Sequence, residues 1–191
     1  MTVNWALKEW QTAVTTLMQG ETVLLLRKGG IRESGGQFQV ASRQVLLLPT
    51  YEHQQAPLLK PEFQSLMDSP NPEIDSDRIT FIGWADITHV FCLKPPSIAY
   101  DLLPHLIWNR SFVEDRIQWR PDRPLYGMAL RAYRLPSPME LPRHKGYSGC
   151  RSWVELGASV TTRGSTPVLT EAAYQTRLAS ILALLPQQVV V

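Results

Sequence analysis

The amino-acid sequence predicts an α+β fold: a small mixed β-barrel with flanking helices. Amphipathic helical patterns open and close the chain, and the segments between them are mostly rich in the β-branched and aromatic residues typical of strands. The regular strand–helix alternation of a doubly wound sheet is missing. A length of 191 residues with 44% hydrophobic residues predicts a single domain over 1–191.

The first third of the chain predicts one helix and two buried strands. Asn4 is expected to cap a helix whose apolar residues recur at spacings of three and four, and Gly20 is expected to end it. The segments 21–27, ETVLLLR, and 44–51, QVLLLPTY, predict buried strands. Residues 54–78 carry four prolines and predict an excursion with only a short helix.

The remaining segments predict three strands and a closing helix. The strand over 79–93 is expected to contain a bulge at Gly83. Short helical turns follow, and then strands over 125–135 and 152–156. Residues 157–191 predict a linker and a C-terminal helix that Thr170 caps.

Composition predicts a soluble cytoplasmic protein. The two cysteines are too few for a disulfide framework, and no apolar run approaches the roughly 20 residues that span a bilayer. The N-terminus lacks the pattern of a signal peptide. A net charge of +2 argues neither for nor against a nucleic-acid partner, so any electrostatic case depends on local clusters.

One such cluster surrounds the glycine pairs of residues 27–38, RKGGIRESGGQF. Three cations, Arg27, Lys28 and Arg32, accompany glycines that match neither a phosphate-binding loop nor a dinucleotide fingerprint. Two interpretations stay open: an ordinary solvated turn, or a hairpin whose amides and cations bind a phosphate backbone.

The sequence gives weaker support for a catalytic site or a metal site. His89 and Cys92 lack the second ligand pair of a zinc site. Cys150, beside Arg151, could act as a nucleophile with His53 as its base, although no hydrolase signature surrounds it. We therefore expect no metal and no cofactor, and we assign no catalytic residue.

Arginines and aromatic residues alternate between residues 108 and 153, a combination that suits phosphate pairing and base stacking. The alternative interpretation is that the tryptophans belong to the core and that the arginines pair with Glu114, Asp115 and Asp122.

Four stretches, ALKEWQTAV, RKGGIRE, LLLPTYEHQ and GCRSWVEL, together resemble a bacterial family, the domain of unknown function numbered 1802. The resemblance covers most of residues 5–156. Members are common in photosynthetic bacteria, and some relatives occur beside restriction-type nuclease domains. The resemblance thus implies a role in restriction or nucleic-acid processing, with a nuclease as a partner.

Residues 10–27 are also similar to the opening of PUA-like barrels, particularly their ASCH branch, whose strand carries the pattern G-x-K-x-x-E-x-R. Gly20 and Arg27 match this pattern, whereas Thr22 and Leu25 replace its Lys and Glu. The similarity implies a PUA-like barrel rather than a particular chemistry.

The leading hypothesis is a non-enzymatic domain that binds RNA or modified DNA. Its cations would hold phosphates, and Tyr51 or Trp153 would stack a base. The predicted nucleic-acid-binding residues are Arg27, Lys28, Arg32, Tyr51, His53, Arg151 and Trp153. The alternatives are a hydrolase or transferase that uses a His53/Cys150 site, and a protein-interaction module.

Overall fold

The computed structural model describes residues 1–28, 40–68, 77–147, 149 and 151–185. The described strands are β1 (Thr2–Trp10), β2 (Leu24–Lys28), β3 (Gln44–Thr50), β4 (Arg78–Leu93), β5 (Leu125–Pro142), β6 (Trp153–Thr161) and β7 (Thr166–Pro167). The described α-helices are α1 (Gln11–Gln19), α2 (Pro61–Gln64), α3 (Ile98–Asp101), α4 (Arg110–Gln118) and α5 (Glu171–Leu182).

The strands form one sheet in the order β2-β5-β4-β3-β1-β6, and β7 pairs with β5. β1 and β3 run parallel, whereas the other pairs are antiparallel. The α+β class is therefore confirmed. The described pairings leave the sheet open, so they do not form the closed barrel that the sequence predicts.

A side chain bridges the gap between the two ends of this strand order. Arg27, at the end of β2, donates hydrogen bonds to the backbone oxygen of Lys8 in β1 and to Oγ of Ser152, the residue before β6. The sheet must curl strongly for these contacts to form, because β2 and β6 are the first and last strands of the order.

The predicted first helix is wrong in its N-terminal half. Residues 2–10 form β1 rather than a helix capped by Asn4, and α1 begins only at Gln11. β1 lies between β3 and β6 with both faces covered, so the neighbours Ala6 and Leu7 are both fully buried. The predicted end at Gly20 is confirmed, with a left-handed φ of 75° that favours glycine.

Most other elements agree with the sequence prediction. The β4 register shifts between Phe81 and Gly83, which confirms the predicted bulge. The Thr170 hydroxyl accepts a hydrogen bond from the Ala173 amide and so caps α5. β5 and β6 extend well beyond the predicted strands, to Pro142 and Thr161.

The sheet has a hydrophobic core on each face. Within β3, Val45 and Leu47 belong to the larger cluster, whereas Leu46 and Leu48 belong to the smaller one. This alternation is the two-residue period of a strand. Since both faces of the sheet are covered, the edge where β1, β2 and β3 end becomes the place for a site.

Candidate functional site

A cavity of about 320 Å³, here called the inner hollow, lies where the curled sheet leaves its gap. Its lining comes from the ends of β1, β2 and β3, from α4 and the segment around it, and from the residues before β6. An outer hollow of about 410 Å³ adjoins it. The two hollows form one groove, since they share Trp10, His53, Phe112, Arg116 and Trp119.

Arg27 is held firmly at the base of the inner hollow. Its Nη2 lies 2.8 Å from Oε2 of Glu9, and the two side chains are only 14% and 8% exposed. The second Glu9 oxygen accepts a hydrogen bond from the Trp10 amide at 2.8 Å. Arg27 therefore acts first as a structural link between strands.

Lys28 anchors α4 to β2. Its Nζ donates to the backbone oxygen of Ile117 at 2.9 Å, in the last turn of α4, where carbonyl groups lack partners within the helix. Burial lowers the pKa of the Lys28 ammonium, and the carboxylate of Asp122 opposes this effect. The Lys28 charge thus stabilises the helix end that forms one wall of the groove.

Arg116 occupies the junction of the two hollows. Its guanidinium lies 4.8 Å from the centre of the Phe112 ring, and among the described residues it takes part in no ion pair. Burial lowers the pKa of Arg116, Glu9 raises it and the like charge of Arg27 lowers it. The carboxylate of Asp115 also raises it, so the Arg27 and Arg116 guanidinium groups lie in the field of buried Glu9 and exposed Asp115.

Aromatic rings form a second wall of the groove. Trp108 stacks on Phe112 with ring centres 4.5 Å apart, and Trp10 meets both rings edge to face. Trp119 is 42% exposed, although it is a large apolar side chain, and it lines both hollows. The Arg120 guanidinium lies over one face of the Trp119 ring, 4.8 Å from its centre. The groove therefore offers one buried aromatic wall and one partly exposed indole that has a single face left for stacking.

The mouth of the inner hollow carries exposed His53 and Arg151. His53 has a φ of 63°, a left-handed conformation that is uncommon for residues other than glycine. Lys8 supports this rim: its Nζ donates to the backbone oxygen of Gly149 at 3.1 Å and lies 3.7 Å from Oε2 of Glu52.

Four of the predicted site residues, Arg27, Lys28, His53 and Arg151, line the inner hollow. Tyr51 and Trp153, both described, line neither hollow. Arg32 and Cys150 lie outside the described residues.

Sequence reasoning assigned no site role to Lys8, Glu9 or Trp10, which line the groove, and it included Arg116 and Trp119 only in the alternation of arginines and aromatic residues, outside the predicted binding set. For Arg116 and Trp119 the available signal was the alternation of arginines and aromatic residues between residues 108 and 153.

Other arginines of that alternation serve the fold. Arg110 pairs with Glu114 at 3.0 Å, and Arg131 pairs with Glu171. Arg134 donates to the backbone oxygen of Met18 at 2.9 Å.

Within the described part of the chain, no group of three His, Cys, Asp or Glu side chains is arranged to hold a metal ion.

Fold and groove together define an α+β domain with a cationic, aromatic-lined groove at one end of a curled sheet. The chain belongs to the family described as a domain of unknown function (DUF1802), whose model matches residues 6–180. No curated protein matches the chain.

Among solved structures, a point mutant of ZmASCH from Zymomonas mobilis is similar, with 9% sequence identity and a TM-score of 0.42. The alignment covers 92% of this chain and 96% of that one. Across the described ranges, every helix is too short or too polar to cross a membrane.

Proposed function

We propose that this protein binds RNA or modified DNA in the groove. The observation that carries the proposal is the concentration of positive charge beside an aromatic wall. Five cations and two carboxylates line the inner hollow, whereas the entire chain has a net charge of only +2. The cations are Lys8, Arg27, Lys28, Arg116 and Arg151.

The contacts suggest a division of roles among these residues. Arg116 and exposed Arg151 contact phosphates, while Arg27 and Lys28 hold the walls in place. Trp119 provides the stacking surface, in place of Tyr51 or Trp153. Each hollow lies within the size range of small-molecule pockets, about 300 to 1,000 Å³, which suits a nucleotide unit.

The finer assignments remain predictions from the sequence. They are the PUA-like architecture, the single domain over 1–191, the cytoplasmic location and a partner nuclease. A hydrolase or transferase that uses His53 and Cys150, and a protein-interaction module, are the competing proposals.

The test measures the fluorescence anisotropy of labelled single-stranded RNA and DNA of about ten nucleotides over a salt series. Arg151→Ala should weaken binding by about three- to tenfold, and it should reduce the slope of log affinity against log salt by about 0.7, the value for one phosphate contact. Arg151 suits this test better than Arg27, because Arg27 also stabilises the fold.

Arg163→Ala is the matched control. It removes the same charge from an exposed position at the other end of β6, and it should leave affinity and slope unchanged. Trp119→Ala should weaken binding at an unchanged slope, because it removes stacking and no charge. If the affinity does not depend on salt concentration, or if Arg151→Ala and Arg163→Ala weaken binding equally, the groove is not the binding site.

A further inference from the structure

We infer that the outer hollow selects guanine, an inference that rests on the proposed function and adds a base preference to it. The two hollows differ in chemistry. Five Lys and Arg side chains line the inner hollow. The outer hollow is lined by Arg116 together with groups that can hydrogen-bond to a base edge, namely the Asp115 carboxylate and the carboxamides of Gln55 and Gln118. Such a lining is better suited to a base than to a second phosphate.

Asp115 and Trp119 are placed to act on one base. They are four residues apart, at the spacing of neighbours on one helix face, and the Trp119 amide donates to the Asp115 carbonyl at 2.9 Å. Both side chains line the outer hollow. A base stacked on the exposed indole therefore has an edge within reach of a carboxylate.

A carboxylate beside a guanidinium matches guanine among the four bases. Guanine carries two adjacent donors, N1–H and the 2-amino group, for the acceptor-only carboxylate of Asp115. Its O6 and N7 accept from a guanidinium, which Arg116 supplies. Adenine instead presents the N1 lone pair to the carboxylate, which is repulsive, and its 6-amino group replaces the O6 acceptor, so only N7 can still accept from the arginine.

The charge of Asp115 also favours guanine. Asp115 is exposed and, within the described ranges, it forms no ion pair that would occupy its oxygens. Arg116, the next residue, lines both hollows and so connects the base position to the phosphate position. We therefore assign base reading to the outer hollow and backbone binding to the inner one.

The experiment compares labelled uridine-rich RNAs that carry a single guanosine, adenosine or inosine. The guanosine RNA should bind about tenfold more tightly than the adenosine RNA, as expected for a bidentate contact. Inosine, which lacks the 2-amino group, should fall between them. Asp115→Asn should bring the ratio of guanosine to adenosine affinity close to one and leave the salt slope unchanged.

Glu114→Gln is the control, since it removes the same charge from the neighbouring position of α4 and lies outside the groove lining. It should preserve the guanosine preference. If Glu114→Gln abolishes the preference as fully as Asp115→Asn does, the effect is one of general charge and the inference is wrong.

Free GMP and AMP serve as competitors in a second arm, because each presents its base without a nucleic-acid backbone. GMP should displace the labelled RNA at a lower concentration than AMP. Salt-dependent binding with equal affinity for the guanosine and adenosine RNAs would overturn the guanine inference alone. A lack of binding to every RNA and DNA would overturn the proposed function as well.

Discussion

The buried ion pair between Glu9 and Arg27 joins the fold to the groove at the scale of single residues. Glu9 accepts from Arg27 with one oxygen and from the Trp10 amide with the other. Arg27 also donates to the backbone oxygen of Lys8. Since a buried charge is costly without its partner, the pair fixes the position of β1 relative to β2.

Arg27→Ala should lower the free energy of unfolding by about 3 kcal/mol, because it leaves the Glu9 carboxylate buried without its guanidinium. Urea denaturation of the purified variant measures this change. The double variant Arg27→Ala/Glu9→Gln should lose less stability than Arg27→Ala alone, since the unpaired charge is then absent. A single variant as stable as the parent would show that the pair contributes no net stability.

The sequence predicted which residues approach the groove better than it predicted their roles. Arg27, Lys28, His53 and Arg151 were identified from local motifs, and all four line the inner hollow. The partner of Arg27 is Glu9, which lies on another strand, so no local pattern could reveal the pairing. Trp153 pairs with Leu7 at the start of β6 and is half-buried, and its stacking role stays a prediction.

At the scale of elements, close packing between β4 and β5 depends on Gly127. This glycine pairs with Phe91, and a Cβ added at residue 127 would overlap the Phe91 ring. The ring is only 1% exposed, so it has little freedom to move away. Residue 127 therefore has no room for a side chain, and the position requires glycine.

Gly127→Ala should destabilise the protein by about 2 kcal/mol through overpacking, as thermal or urea unfolding would measure. Gly146→Ala is the matched control, because an added Cβ at that exposed position meets nothing within 4 Å. We expect the control to change stability little. Equal stability of the two variants would mean that the Phe91 ring shifts freely.

The error in the first element has a physical origin. In a strand covered on both faces, neighbouring residues are buried together, and Ala6, Leu7 and Trp10 then show the spacing of an amphipathic helix. β5 shows the same burial of neighbouring residues, since residues 125–130 are all buried. Strand prediction succeeded where flanking residues or composition distinguished a strand from a helix, as in β4.

The whole molecule depends on one sheet whose two faces carry separate cores. β4 contributes Phe81 to the smaller cluster and Ile87 to the larger one. β5 likewise contributes Leu135 and Leu130 to the two clusters, respectively. Because the same two long strands belong to both cores, neither core can be lost while the other keeps its sheet.

We therefore predict a single cooperative unfolding transition, with the same midpoint by far-ultraviolet circular dichroism and by tryptophan fluorescence. Leu47→Ala and Leu48→Ala test this, since the two residues are neighbours in β3 but belong to different clusters. Each substitution should destabilise the protein by about 2 to 5 kcal/mol and shift the entire transition. If each core instead unfolded by itself, each substitution would move only one of two resolved transitions.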